Sequence, residues 1–197
     1  MNNLEHILPI LKWENKEDFY FCMLLLRKKE HKELGSNSRI IKTYYIKSEE
    51  NLLFYLPEMI KIADVLNGRI YFNLNRRNFK RVAFYTMKKI CDQIMNEDFS
   101  NVMKAYNSSM GSYVSEKEKK WVVDIDGKNV NFIKDLTGLF YKYSFLQEKL
   151  ITSLPTKNGW HLITTPFNLQ EFNKELPLIS SQLEIKKDGL TLLYCPE

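Results

Sequence analysis

The pattern of apolar and polar positions divides the chain into short strands and amphipathic helices. Residues 3–12 read as a short helical lead-in interrupted by Pro9. Residues 17–27 are dense in aromatic and aliphatic side chains, the mark of a buried strand. A charged loop follows and ends in the turn cluster Gly35-Ser36-Asn37-Ser38. Residues 39–47 are rich in β-branched and aromatic types and read as a second strand, hairpin partner of the first. Ser48 followed by Glu49 and Glu50 predicts a helix start, and Asn67-Gly68 predicts its stop near Leu66. A third strand is expected over 69–75. Residues 78–96 then repeat apolar side chains at helical spacing, among them Phe79, Val82, Ala83, Met87, Ile90 and Ile94.

Pattern weakens over 101–118, where 107–112 reads as a loop and the best boundary falls. We therefore expect an N-terminal α/β unit over 1–110 and a second part over 111–197, together forming one compact domain. In the second part a strand is predicted at 120–126 and a helix at 130–153 in spite of Gly138. A turn over 154–159 leads to a strand over 160–165, closed by Pro166. After a short helix near 168–175, apolar runs at 181–186 and 190–195 flank Lys187-Asp188-Gly189. Asp-Gly between two such runs signals a hairpin. The succession of helices, strands and hairpins predicts an α+β class, or α/β, built on a mixed sheet.

Composition narrows the class without naming a chemistry. With 44% hydrophobic and 13% aromatic residues the chain is not of the disordered type, and its 7 Gly and 6 Pro leave little for long linkers. Cys22, Cys91 and Cys195 lie far apart with no zinc spacing, which suits reduced thiols of a cytoplasmic protein. The apolar run 19–26 is too short to span a bilayer and no signal peptide is seen, so no membrane partner is expected.

Charge is more informative. The net charge is +5, but residues 69–89 alone hold Arg69, Arg76, Arg77, Lys80, Arg81, Lys88 and Lys89 and no acid. Such a patch is a footprint for phosphate or nucleic acid, and equally the ordinary solvated face of a helix. Arg76 and Arg77 end the predicted strand, and Lys80 and Arg81 sit on the first turns of the next helix. There they are placed to grip a template backbone or a triphosphate.

Two stretches carry candidate chemistry. In Trp121-Val122-Val123-Asp124-Ile125-Asp126-Gly127 strand alternation sends Asp124 and Asp126 to one face and Val123 and Ile125 to the other. Two carboxylates about 7 Å apart on a strand suit Mg²⁺ or Mn²⁺, which take hard oxygen ligands and share them with phosphate. The plainer reading is an edge strand with two solvated acids before an Asp-Gly turn. In Thr156-Lys157-Asn158-Gly159-Trp160-His161 a basic turn delivers His161 to the start of a strand. There Lys157, the turn amides and the imidazole offer donors to a phosphate. A lone strand histidine is more often a satisfied structural residue.

In this order, Val123-Asp124-Ile125-Asp126, Asn158-Gly159-Trp160-His161 and Leu183-Glu184 resemble the three motifs of the archaeo-eukaryotic primase superfamily. Those are an Asp-x-Asp, a Ser-x-His-like turn and strand, and a hydrophobic-acid pair. Asn158 stands where the family often has serine, and the third acid is glutamate, with Asp188 as a rival. The span from His161 to Glu184 leaves no room for the zinc-binding insertion of many relatives. The resemblance implies an RRM-like catalytic sheet with an extra α/β unit. It also implies nucleotide addition from nucleoside triphosphates on a single-stranded nucleic-acid template. Asp124, Asp126 and Glu184 would hold Mg²⁺ or Mn²⁺, and His161 would contact the triphosphate. A compact member of this kind suits a phage or mobile element. Two other readings stay open: a decayed catalytic fold that only binds nucleic acid or regulates, and a metal-dependent phosphodiesterase. Lys186-Lys187-Asp188-Gly189 also echoes the Lys-x-Asp-Gly of nucleotidyl-transferring ligases, but that lysine needs a long following domain and eight residues follow Gly189, so the echo is set aside.

Overall fold

The computed structural model describes residues 1–112, 119–127, 130–143, 146, 148–175 and 183–196. In chain order the elements begin with α1 (Leu4–Ile7), β1 (Asp18–Leu26), β2 (Arg39–Ile46), α2 (Glu49–Leu66) and β3 (Arg69–Asn73). Next come β4 (Arg77–Asn78), α3 (Phe79–Met95), α4 (Ala105–Ser112), β5 (Trp121–Asp126) and α5 (Val130–Lys142). The series ends with β6 (Leu150–Pro155), β7 (Gly159–Thr164), α6 (Leu169–Glu175), β8 (Leu183–Lys186) and β9 (Leu190–Tyr194). They form two sheets, β2-β1-β3-β9 with β4 beside β1, and β6-β7-β5-β8. The class is α+β. Every ladder between these strands is antiparallel, where the sequence suggested a mixed sheet.

Local chemistry sets the ends of α2. Ser48 Oγ accepts from the Asn51 amide at 3.1 Å, and Glu49 and Glu50 sit at the positive end of the helix dipole. Asn67 closes the helix in the left-handed conformation at φ 48°, and the Gly68 amide returns to the Ala63 carbonyl at 2.8 Å. Along α2 the buried positions Leu52, Leu56, Met59 and Ala63 form one stripe. That stripe joins a core with Cys22 and Leu24 of β1 and Ile70 and Phe72 of β3.

The second sheet has two unlike faces. Trp121, Val123 and Ile125 of β5, with Leu162 of β7, pack with Leu136 and Phe140 of α5 and Phe172 of α6. On the other face Val122, Leu154 and Ile163 enter the core they share with the first sheet. One continuous apolar core thus joins both sheets.

Four expectations are corrected. The helix predicted over 130–153 stops at Lys142, and Leu150–Pro155 is instead strand β6, because pairing with β7 overrides local helix preference. The supposed loop at 107–112 belongs to α4, beside α3. Lys187-Asp188-Gly189 does not close a hairpin: β8 pairs with β5 in one sheet and β9 with β3 in the other, so the turn is the crossing between sheets. A boundary near residue 110 therefore divides the sequence but not the sheets, since β9 completes the N-terminal one. No helix among the described residues is long and apolar enough to cross a membrane.

Candidate functional site

β5 is the middle of the site. Its Asp124 lies directly across from His161 on β7 and Glu184 on β8. Cross-strand partners in an antiparallel sheet share a face, so the three side chains form one row across three strands. Val122, one step back on that face, is sealed in the core, while Asp126, one step forward, is exposed. The row therefore sits where packed interior opens to solvent. Gly159 makes the approach of β7 to β5 possible: a Cβ there would stand 1.9 Å from the Ile125 carbonyl oxygen. Beside it the Gly127 amide donates to the Asn158 carbonyl at 2.8 Å.

In front of the row is a cleft of about 700 Å³, a size suited to a small-molecule ligand. The second sheet contributes Asp124, Asp126, His161, Glu184 and Lys186, and the first contributes Arg69, Tyr71 and Leu192. Arg27 and Lys29, just beyond β1, add positive charge to the same walls.

Asp124 is the best-held group. Its Oδ1 lies 3.3 Å from His161 Nε2, and its Oδ2 accepts from Lys186 Nζ at 2.6 Å. Burial works to raise its carboxyl, but the hydrogen bonds from His161 and Lys186 prevail and hold it well below the usual carboxylate range. His161 is buried, with Nδ1 2.9 Å from Thr191 Oγ1 of the first sheet. With Nε2 directed at Asp124, Nδ1 meets the Thr191 hydroxyl. The ring thus braces Asp124, and both its nitrogens are engaged, where the sequence reading had it reaching for a triphosphate.

Lys186 Nζ also lies 3.0 Å from Glu184 Oε2, so one ammonium spans both acids. For Lys186, burial lowers the ammonium's affinity for its proton, and the two carboxylates more than restore it, raising its pKa. By donor chemistry the carboxylates of Asp124, Asp126 and Glu184 fit Mg²⁺ or Mn²⁺. Among the described residues, though, no three ligating side chains converge on one point, because Asp124 faces His161 and Lys186.

The basic junction lies elsewhere. Arg77 is fully buried, its guanidinium stacked on Phe21 at 4.5 Å from the ring centre. It donates to the Met110 carbonyl (2.6 Å), the Asn75 carbonyl (2.8 Å), Asn73 Oδ1 (2.9 Å) and Asp188 Oδ2 (2.7 Å). Asn73 and Asn75 donate to Asp188 Oδ1 at 3.1 and 2.8 Å. Arg77 is therefore a structural hub rather than a phosphate grip, and Asp188, the rival third acid, is committed to it. Arg76 pairs with Glu14 (3.0 Å) and Asp18 (3.3 Å), and with Arg81 it lines a separate depression of about 240 Å³. Lys80 is exposed on α3. Of the residues proposed for phosphate, Lys157 alone stands near the cleft, 3.6 Å from Glu30, which also pairs with Arg69.

Sequence reasoning placed Asp124, His161 and Glu184 together and missed Arg27, Lys29 and Lys186. A signal for Lys186 did exist: on a strand it shares a face with Glu184 two residues earlier. Comparison of the chain with protein-family models, curated proteins and solved structures finds no match.

Proposed function

We propose that the chain is a nucleotidyltransferase of the primase–polymerase kind, adding nucleotides from triphosphates to a nucleic-acid strand on a single-stranded template. The observation that carries this reading is the row Asp124–His161–Glu184, set across three strands at the floor of a cleft with cationic walls. Support comes also from connectivity. β5, α5, β6, β7, α6 and β8 follow a β-α-β-β-α-β path with strand order β6-β7-β5-β8, the split-βαβ arrangement, which we read as RRM-like.

In this proposal Asp124, Asp126 and Glu184 hold Mg²⁺ or Mn²⁺, with His161 fixing the orientation of Asp124. When bound, such ions activate an attacking 3′-hydroxyl and neutralise the leaving pyrophosphate. Arg27 and Lys29 attract and hold the phosphates, and Tyr71 offers an aromatic face in the same cleft.

The test is extension of a labelled, primed oligonucleotide with Mn²⁺ and triphosphates. Asp124→Ala combined with Asp126→Ala should abolish extension while the thermal melt stays cooperative. Undiminished extension by that double variant rules the mechanism out, and shortening of the oligonucleotide without triphosphates indicates a phosphodiesterase instead. A second reading draws on α3, where exposed Phe84, Tyr85 and Met87 accompany Lys80, Arg81 and Lys88. A decayed site that only binds nucleic acid there predicts salt-sensitive binding, indifferent to EDTA and to Asp124.

A further inference from the structure

Lys186 stands where two of the candidate metal ligands face each other. It follows Glu184 by two residues on β8, so both side chains rise from the same face of the strand. Glu184 is opposite Asp124 and Lys186 is opposite Val122, so the lysine reaches one step forward along β5 to the Asp124 carboxylate. Its Nζ is 2.6 Å from Asp124 Oδ2 and 3.0 Å from Glu184 Oε2. A cation held between these two carboxylates would occupy the same gap. The protein supplies its own.

That ammonium is not sealed in. The Lys186 side chain is 35% exposed and Glu184 is 71% exposed, and both line the open cleft. Lysine carries its charge on a flexible four-carbon stem, so the head can leave one carboxylate pair for another anion within reach. The cleft in front of it is where the proposed function puts a triphosphate.

We propose that Lys186 is a tethered counter-cation. It closes the Asp124–Glu184 pair when the cleft is empty, yields that position to a divalent cation, and transfers its ammonium to the phosphates of a bound triphosphate. This rests on the nucleotidyltransferase reading for the identity of the anion, but the competition between ammonium and metal is a property of the side chains alone. It makes metal and triphosphate binding mutually supportive. The metal frees the lysine that the phosphate needs, and the phosphate takes up the charge that the metal displaces.

The test is a titration of the nucleotide-free protein with Mn²⁺, followed by calorimetry and by the electron paramagnetic resonance of the free ion. Lys186→Met keeps the stem and removes the charge, and it should bind Mn²⁺ at least tenfold more tightly than the natural protein. Lys186→Arg keeps a cation and should remain as weak as the natural protein. Adding Asp124→Asn to Lys186→Met should erase the gain. α,β-Methylene ATP should tighten Mn²⁺ binding by the natural protein several-fold, and by the methionine variant by much less. Unchanged or weaker Mn²⁺ binding by Lys186→Met overturns the proposal. So does an arginine variant that behaves like the methionine one, or a gain that survives Asp124→Asn. None of these titrations needs nucleotide transfer. A clear methionine gain in a protein that never extends a primer would therefore sink the polymerase reading and leave the counter-cation standing.

Discussion

A guanidinium taken out of water is costly unless its donors meet acceptors and its charge meets a partner. Arg77 satisfies both conditions through Asn73, Asn75, the Met110 carbonyl and Asp188, and it does so at the crossing between the two sheets. Removing one member of such a pair strands the other. Arg77→Ala should therefore lower unfolding stability by about 3–5 kcal/mol, read from urea denaturation. Arg77→Lys should recover only part of this, since one ammonium cannot direct bonds along the four lines that the planar group uses. A loss below 1 kcal/mol in the alanine variant would contradict the role given to this network. The same residue shows where reading the sequence failed. Arg76 and Arg77 look alike in a basic run, and nothing local tells that one is exposed enough to meet Glu14 while the other is enclosed. That distinction depends on Asp188, more than a hundred residues away, and on α4, which supplies the Met110 carbonyl.

Among elements, those governed by nearby residues were legible and those governed by distant pairing were not. α2 could be read end to end because Ser48 and Asn67 cap it with their own side chain and backbone. β5 and β7 were found because alternation and the turn before His161 are local signals. β6 was hidden: its residues gain strand geometry from β7, and periodicity alone let the preceding helix run through them. The Asp-Gly turn was misread for a related reason, since Asp188 is captured by Arg77 and the asparagines instead of serving a tight hairpin. Two substitutions test the local explanations by thermal or urea unfolding. Ser48→Ala should cost about 1 kcal/mol through the lost cap. Gly159→Ala should cost at least about 1–3 kcal/mol, because the new methyl group meets the backbone of Ile125, which cannot turn aside. In that variant Asp124 and His161 should also lose their register, so the proposed Mn²⁺ binding should weaken together with stability.

For the molecule as a whole, acid is the natural stress. Asp18, Glu30 and Asp124 all titrate below their ordinary values in the folded protein. In each case burial opposes the shift and hydrogen bonds or cations outweigh it: Asn78 and backbone amides at Asp18, Arg69 at Glu30, His161 and Lys186 at Asp124. Depressed folded values mean that the unfolded chain takes up protons first as pH falls. The stabilisation is complete above the unfolded carboxylate range and disappears through and below it. The melting temperature should therefore be nearly level from neutral pH to about 5 and drop steeply below about 4. Replacing Glu30 with Gln should flatten part of that drop, and an unchanged profile would show that the Arg69 pair contributes nothing to it.

The return of β9 to the first sheet has a consequence for how the protein is made. Strands β1 to β3 leave the ribosome early, yet the edge of β3 stays bare until residues 190–194 arrive, and Thr191, the brace behind His161, arrives with them. The brace behind the candidate row is thus added last, by the same segment that finishes the oldest sheet. A nascent chain halted short of that point carries Asp124, His161 and Glu184 on β5, β7 and β8 but lacks the Thr191 contact behind the imidazole, so it should hold that row less firmly.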